Sequence, residues 1–254
     1  MAYDFNVVEK AIQVEGTNTI IPKRKAIVRE DNGIPLSIVS DKYHVIKHAD
    51  MVQNFEAALA TLPYFRDYTV TTNLPFDGGQ MFRKYTFNQI NLEPKVGDVI
   101  KMTLELMNSY DGKTKGGYKV GGHRLACLNG QVLPGTFQEI LTKHYANFNI
   151  DKIVDGLKTA LPLFEQTVNQ WKTWNDVVVN ITDITDMLAK TAIPERTQKK
   201  MVEKFASEDK TKFGAFQAMT WVISHETKAR VDANSRVPQI ALERQIAPLF
   251  YGRA

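Results

Sequence analysis

The apolar residues of this chain change their spacing near residue 134, and this change limits the folds open to it. Between residues 67 and 130 they alternate with polar residues, which is typical of β-strands; after Pro134 they recur every three to four residues, which is typical of helices. The connections between the strands are short, which favours antiparallel neighbours. We therefore predict an α+β fold. Residues 1–133 form a β-meander with a packed helix, and residues 134–254 form a helical region packed on it in one continuous domain.

Local signals place the individual elements. Asn32-Gly33 between two apolar runs predicts a hairpin, and apolar residues at helical spacing predict a helix over residues 51–62 that Pro63 ends. The predicted strands of the meander are 68–72, 81–87, 99–107 and 118–128. The first two are separated by a turn from Pro75 to Gly79.

Composition limits the cellular setting and the partners. The chain has 254 residues, of which 43% are apolar and 24% charged, as in ordinary globular proteins. Its one cysteine, Cys127, excludes an internal disulfide and any Cys-rich zinc site, which favours the cytoplasm. No apolar run approaches the roughly 18 residues of a membrane helix, so we expect no membrane partner. The formal charge of +4 permits a polyanion without requiring one.

The most suggestive local feature is the glycine-rich hairpin at residues 108–124, NSYDGKTKGGYKVGGHR. Glycines allow a phosphodiester to approach the backbone, cations release counterions, and an aromatic ring can stack on a base. The candidate nucleic-acid-binding residues in this hairpin are Lys113, Lys115, Tyr118, Lys119, His123 and Arg124. The alternative is an exposed hairpin whose lysines prevent a sheet edge from pairing.

Two further basic clusters are candidates for the same surface. Arg83 and Lys84 alternate with Phe82, Tyr85 and Phe87 along one strand, as in a single-strand binding platform. Aromatic residues in strands are, however, more often part of the core. Lys23, Arg24 and Lys25 form the other cluster, which could equally be a solvated loop.

No pattern predicts catalysis. The sequence contains no glycine-rich nucleotide cradle and no GxSxG, and Cys127 lies in an apolar context that indicates a buried thiol. His44 and His48 have the i, i+4 spacing of a metal pair, and His225-Glu226 could be an acid/base pair, but alternation around the first pair favours an extended segment. We expect no catalytic residue, metal or cofactor.

Several motifs resemble a phage- and plasmid-borne family catalogued as a domain of unknown function. That family has a "GD" start, an "N-S-x-D-G" turn, an "R-x-x-C-x-N" strand end and a late "N-A-x-T-x-x-x-x-H" helix. The matching residues here are Gly97, Asp98, Asn108, Ser109, Asp111, Gly112, Arg124, Cys127, Asn129, Ala218, Thr220 and His225. Gln217 stands where the family usually has asparagine. The similarity covers most of residues 35–230. In outline, members of that family resemble the phage single-strand annealing proteins. The resemblance therefore implies a β-meander and helix core, a basic groove and assembly into rings or filaments.

Three functional hypotheses follow. The first is a cofactor-free protein that binds or anneals single-stranded DNA, or RNA, as a homo-oligomer in a phage or plasmid setting. The second is a phage protein-interaction or host-takeover module that does not bind nucleic acid. The third is an enzyme that uses His225 and Glu226, or His44 and His48. Oligonucleotide affinity that falls steeply with salt separates the first from the second.

Overall fold

The computed structural model describes residues 2–124, 129–132, 140–144, 150–227, 232 and 235–252. Within these residues two antiparallel sheets are followed by a helical region, which confirms the predicted α+β fold. None of the helices in this part of the chain has the length and apolar character needed to cross a lipid bilayer.

The first sheet has three strands in chain order. They are β1 (Val7–Gln13), β2 (Ile20–Arg29) and β3 (Pro35–Ser40). The predicted turn joins β2 to β3: Gly33 has a φ of 73°, and its N–H donates to the carbonyl oxygen of Arg29 at 3.0 Å. The Asn32 side chain accepts from the N–H of Ile34 at 3.0 Å. Glycine suits this turn because a side chain would be strained at a positive φ.

The second sheet contains the predicted meander. Its strands are β4 (Tyr68–Asn73), β5 (Gln80–Leu92), β6 (Ile100–Ser109), β7 (Gly116–Arg124), β8 (Asn129–Val132) and β9 (Ile140–Thr142). Strands β4 to β8 are neighbours in chain order, and β9 also pairs with β7. The prediction of β4 to β7 is confirmed, whereas β8 and β9 are strands that the sequence pattern did not indicate. The rest of the predicted fourth strand, residues 125–128, lies outside the described residues.

Helices cover both faces of this sheet. They are α1 (His48–Thr61), the single turn α2 (Pro75–Gly78), α3 (Ile150–Trp174), α4 (Ile181–Ala189), α5 (Glu195–Ala206), α6 (Lys212–Glu226) and α7 (Val237–Tyr251), with a 3-10 turn at Pro63–Phe65. On one face Phe55 of α1 packs against Tyr85 and Tyr118, with ring centroids 5.2 and 5.4 Å apart. On the other, Ile240 of α7 packs with Phe82 and Met107.

The main apolar cluster contains residues of both halves of the chain. Buried strand residues such as Leu104 share it with Trp171 of α3 and Phe216 of α6. Helix α6 is buried over most of its circumference, as expected of a helix at the centre of a fold rather than on its surface. The larger sheet and the later helices therefore share one apolar cluster, whereas Ile27 and Val39 of the first sheet lie in a smaller one.

His48 is a fully buried polar residue between α1 and the second sheet. Its Nδ1 lies 3.0 Å from Nδ2 of Asn108, and its Nε2 lies 2.9 Å from the carbonyl oxygen of Gly78. An amide nitrogen donates and a carbonyl accepts, so the ring is neutral and carries its proton on Nε2. Burial lowers the pKa of His48 to about 3.

We expect stability to depend on pH through His48. Because its folded pKa of about 3 lies below the ordinary value of 6.5, the unfolded chain binds the extra proton between these values. The contribution of neutral His48 to the free energy of unfolding is complete above pH 6.5. As the pH is lowered from 6.5 towards 3, the free energy of unfolding falls by about 1.4 kcal/mol per pH unit. Urea unfolding over a pH series measures this slope. His48→Gln should reduce it, and a slope equal to that of the parent would contradict the assignment to His48.

Candidate nucleic-acid interface

A cleft of about 470 Å³ opens between the β6–β7 hairpin, the end of β9 and α7. Four cationic side chains line it: Lys113, Lys115, Lys143 and Arg244. All four residues are exposed to solvent. None of the described residues that line the cleft carries a carboxylate. The local potential is therefore positive, although the chain as a whole is only mildly basic.

Strand pairing brings these cations together from distant parts of the sequence. In the β7–β9 ladder Gly116 lies opposite Thr142, so Lys115 and Lys143 are the adjoining residues just beyond it. Arg244 reaches the cleft because Ile240, one turn earlier in α7, is anchored in the apolar cluster with Met107. The cleft depends on the packing of α7 over the sheet and not on the hairpin alone.

The turn of the hairpin directs its acid inward and its lysines outward. Asp111 accepts hydrogen bonds from the Gln80 side chain at 2.6 Å and from the N–H of Lys113 at 2.9 Å. Its side chain is 7% exposed, whereas that of Lys113 is 60% exposed. Gly112 adopts a φ of 70°, which completes the turn. Asp111 therefore has hydrogen-bond partners inside the protein, and its Oδ2 also lies 3.9 Å from Nζ of Lys113.

An aromatic pair and apolar side chains form the rest of the wall. The rings of Tyr43 and His144 stack with centroids 5.0 Å apart, and the Tyr43 hydroxyl donates to the carbonyl oxygen of Ser109 at 2.7 Å. Burial lowers the pKa of His144 to about 4, so this ring is neutral at pH 7. The apolar side chains of the wall are Met107, Leu141, Val237, Ile240 and Ala241. The cleft thus offers cations to an anion and an apolar surface to the group that carries it.

The cluster at residues 23–25 lies beside the cleft. Ser40 lines the cleft, and Arg24 lies directly opposite Ser40 in the β2–β3 ladder. Lys23 and Arg24 are exposed, whereas Lys25 forms an ion pair with Glu9 at 2.8 Å. Arg24 therefore extends the positive surface by one strand.

Arg83, Lys84 and Lys119 do not belong to this surface, and their assignment to it is corrected. Arg83 lies on the opposite face of the sheet and pairs with Glu56 at 2.6 Å. Lys84 and Lys119 lie opposite Glu105 on the two strands that flank β6. Burial lowers the pKa of Lys84, and Lys119 is 2% exposed.

This buried group of charges connects the sheet to α7. Arg236 donates to Glu105 at 3.1 Å and to Glu243 at 2.9 Å, and Lys119 lies 3.7 Å from Glu243. Both carboxylates and Lys119 are buried. The alternation of the strand correctly placed Lys84 on one face, but that face is covered by a helix and lined with acids. These lysines therefore serve the fold.

Tyr118 does not offer its ring to a base, which corrects its assignment as a stacking residue. It is fully buried against Phe55, and Phe82, Tyr85 and Phe87 are buried as well. The core alternative for the strand aromatics is the one that the structure supports. The side chains of His123 and Arg124 lie outside the part of the chain that the structure describes; their backbones pair with β6 and β8.

Replacing Tyr118 by phenylalanine tests this reassignment. The Tyr118 hydroxyl is buried, and no described group hydrogen-bonds to it. Since an unsatisfied buried hydroxyl costs about 1–3 kcal/mol, we expect Tyr118→Phe to unfold at equal or higher denaturant concentration than the parent. Oligonucleotide affinity should not change. A lower midpoint together with weaker binding would return Tyr118 to the site.

The structure shows other contacts for three of the side chains singled out by spacing. Both ring nitrogens of His48 are engaged by Asn108 and Gly78. His225 stacks on Trp221, and Glu226 pairs with Lys200 at 2.5 Å. No group of three or more possible metal ligands occurs in residues 2–124, 129–132, 140–144, 150–227, 232 and 235–252.

The fold and cleft together define an α+β protein with a basic cleft at the edge of a helix-covered sheet, and the described residues that line this cleft include no carboxylate. The chain belongs to the family described as Domain of unknown function (DUF932), which matches residues 35–245. No curated protein and no solved structure matches the chain.

The motif residues noted in the sequence act as structural links. The Gln217 side chain in α6 donates to Asp98, which precedes β6, at 2.7 Å, and both residues are buried. Asn108 holds His48 and also donates to the carbonyl oxygen of Ile46 at 2.8 Å. Ser109 donates to the carbonyl oxygen of Thr114 across the hairpin at 3.0 Å. The bond from Ser109 closes the hairpin that presents Lys113 and Lys115.

Proposed function

We propose that this chain binds single-stranded nucleic acid in the basic cleft and promotes the pairing of complementary strands. The observation that carries the proposal is the convergence of Lys113, Lys115, Lys143 and Arg244 on one cleft whose described lining contains no carboxylate. Cations placed in this way neutralise phosphates and release counterions, which is the main source of affinity for a nucleic-acid backbone.

The dimensions and lining of the cleft favour a single strand over a duplex. Its volume of about 470 Å³ is that of a small-ligand pocket. A flexible strand can lay a short segment in such a space, whereas the body of a duplex cannot enter it. Apolar side chains such as Leu141 and Val237 can contact sugars and bases without reading sequence.

Annealing requires weak contacts that leave bases available, repeated over several copies of the protein. A cleft that makes a few electrostatic contacts on each chain suits this requirement better than a specific, high-affinity pocket. We propose that several copies act together, without a cofactor, in the cytoplasm of a cell that carries a phage or plasmid.

Anisotropy of a labelled single-stranded oligonucleotide over a salt series tests the proposal. Four phosphate contacts predict a slope of log affinity against log salt of about −3. A duplex of the same sequence should bind more weakly, and complementary strands should pair faster with the protein present. Absence of single-strand binding at about 50 mM salt would contradict the proposal.

An acidic protein partner could use the same cations, which is the alternative interpretation of the cleft. It predicts no single-strand binding at low salt. The same titration therefore separates the two functions.

A further inference from the structure

Strand β4 forms one outer edge of the six-stranded sheet, and it is chemically unlike the other sheet edges. It pairs with β5 on one side, through six consecutive residue pairs without a bulge, and no described strand lies beyond it. Its sequence, YTVTTN, contains no charge and no proline, and Thr69, Val70 and Thr71 are exposed. An edge strand presents unpaired backbone N–H and C=O groups to its surroundings.

The other edges in the described residues carry features that discourage pairing with another strand. Strand β1 contains Glu9 and Lys10, and its ladder is irregular between Ala11 and Gln13. Strand β3 begins with Pro35, and its ladder to β2 also contains an irregularity. Strands β8 and β9 have only four and three residues. Charges, proline, bulges and shortness are the usual protections of a sheet edge, and β4 has none of them.

The residues of β4 are suited to pairing with an identical strand. A two-fold axis through Val70 places Thr69 of each copy opposite Thr71 of the other, and Tyr68 opposite Thr72. Threonine pairs and pairs of β-branched or aromatic residues stabilise antiparallel neighbours. No like charges meet, because the strand has no charged residue. A two-fold contact needs a patch that complements itself, and this strand meets that condition.

We infer that two copies of this chain join their larger sheets through β4, as antiparallel edge strands. The contact lies on β4, and none of its residues lines the basic cleft. Strand β4 would be the surface through which the copies in the proposed function associate. The inference rests on the strand itself and not on nucleic-acid binding.

The introduction of like charges on both sides of the two-fold axis tests the inference. In Thr69→Glu/Thr71→Glu, like charges face each other between copies, while residue 71 faces Lys84 within its own ladder. We expect the parent to sediment at twice 28.8 kDa and this variant at 28.8 kDa. The measurement uses protein at about 0.1 mM, because a dimer with a micromolar dissociation constant is mostly formed at that concentration.

A complementary variant keeps the test independent of folding. Thr69→Lys/Thr71→Lys should also be monomeric alone, and mixing it with the glutamate variant should restore a dimer with one copy of each. Ile38→Glu on β3, where the side chain is 63% exposed, is the control and should leave the parent mass unchanged. Far-ultraviolet circular dichroism checks the fold of each variant.

A monomeric parent, or charged variants that remain dimeric, would overturn the inference. Failure of the mixture to form a dimer from folded variants would do the same. A monomer that still binds single strands would overturn this inference alone, and a dimer that does not bind them would overturn the proposed function alone.

Discussion

Replacing Lys113, Lys115 and Lys143 together by alanine is expected to lower single-strand affinity by about 100-fold near 0.1 M salt. Each residue lines the cleft and is exposed, so its removal takes away a phosphate contact. Each lost contact also removes about 0.7 from the salt slope, so the slope should become shallower by about 2. Anisotropy over a salt series measures both quantities in one experiment.

A matched control separates this effect from a change in net charge. Lys172, Lys190 and Lys199 are exposed and do not line the cleft. Their replacement by alanine removes the same charge from other surfaces, and we expect the salt slope to stay within error of the parent. If the two triple variants lost the same single-strand affinity, affinity would follow total charge, and the cleft would have no special part in binding.

Glu243→Leu is expected to lower the free energy of unfolding by about 3–5 kcal/mol, because removal of one partner leaves buried charges poorly compensated. Glu243 is 4% exposed and accepts a hydrogen bond from Arg236 at 2.9 Å, and Lys119 lies 3.7 Å away. Urea unfolding measures the change. Glu203→Leu on the exposed face of α5 should alter stability by no more than about 0.5 kcal/mol.

A compensating variant distinguishes uncompensated charge from simple loss of packing. Lys119→Met/Glu243→Leu removes one charge of each sign and keeps the contact of Arg236 with Glu105. We expect this variant to be more stable than Glu243→Leu alone, because well-packed apolar residues often replace a buried ion pair without loss. If the double variant is less stable than the single one by the full cost of Lys119→Met, the residues act independently and the electrostatic account is wrong.

The elements of the fold were largely predictable, because their signals are local. The apolar spacing of α1 and the alternation along β4 to β7 lie within short windows, as does the Asn32-Gly33 turn. Strands β8 and β9 have four and three residues, so they are too short for an alternation of apolar and polar residues to be recognised. Their existence depends on pairing with β7, which no local pattern reveals.

The cleft was predictable only in part. Lys113 and Lys115 stood out because charge is concentrated in their hairpin, but Lys143 and Arg244 join them only through the β7–β9 ladder and the packing of α7. No signal in the sequence near either residue indicates that convergence. Tyr43 and His144 were likewise missed, because ring stacking between residues a hundred positions apart leaves no local trace.

The incorrect assignments have one physical cause. Alternation along a strand shows which residues share a face, but not whether that face meets water. Lys84, Lys119 and Tyr118 were placed on the correct strands, yet helices cover both faces of the sheet. A lysine covered by a helix needs a carboxylate, and Glu105 and Glu243 supply it.

The covering of one sheet face by α7 has a consequence during protein synthesis. The ribosome makes β4 to β7 well before α7, so Phe82 and Met107, together with the ion-paired side chains around Glu105, stay open to water while the intervening helices emerge. Nascent chains on neighbouring ribosomes could associate through this exposed apolar face before α7, which carries Ile240, is synthesised and covers it. A chain stalled before Val237 is therefore a natural client for chaperones that bind exposed apolar surface.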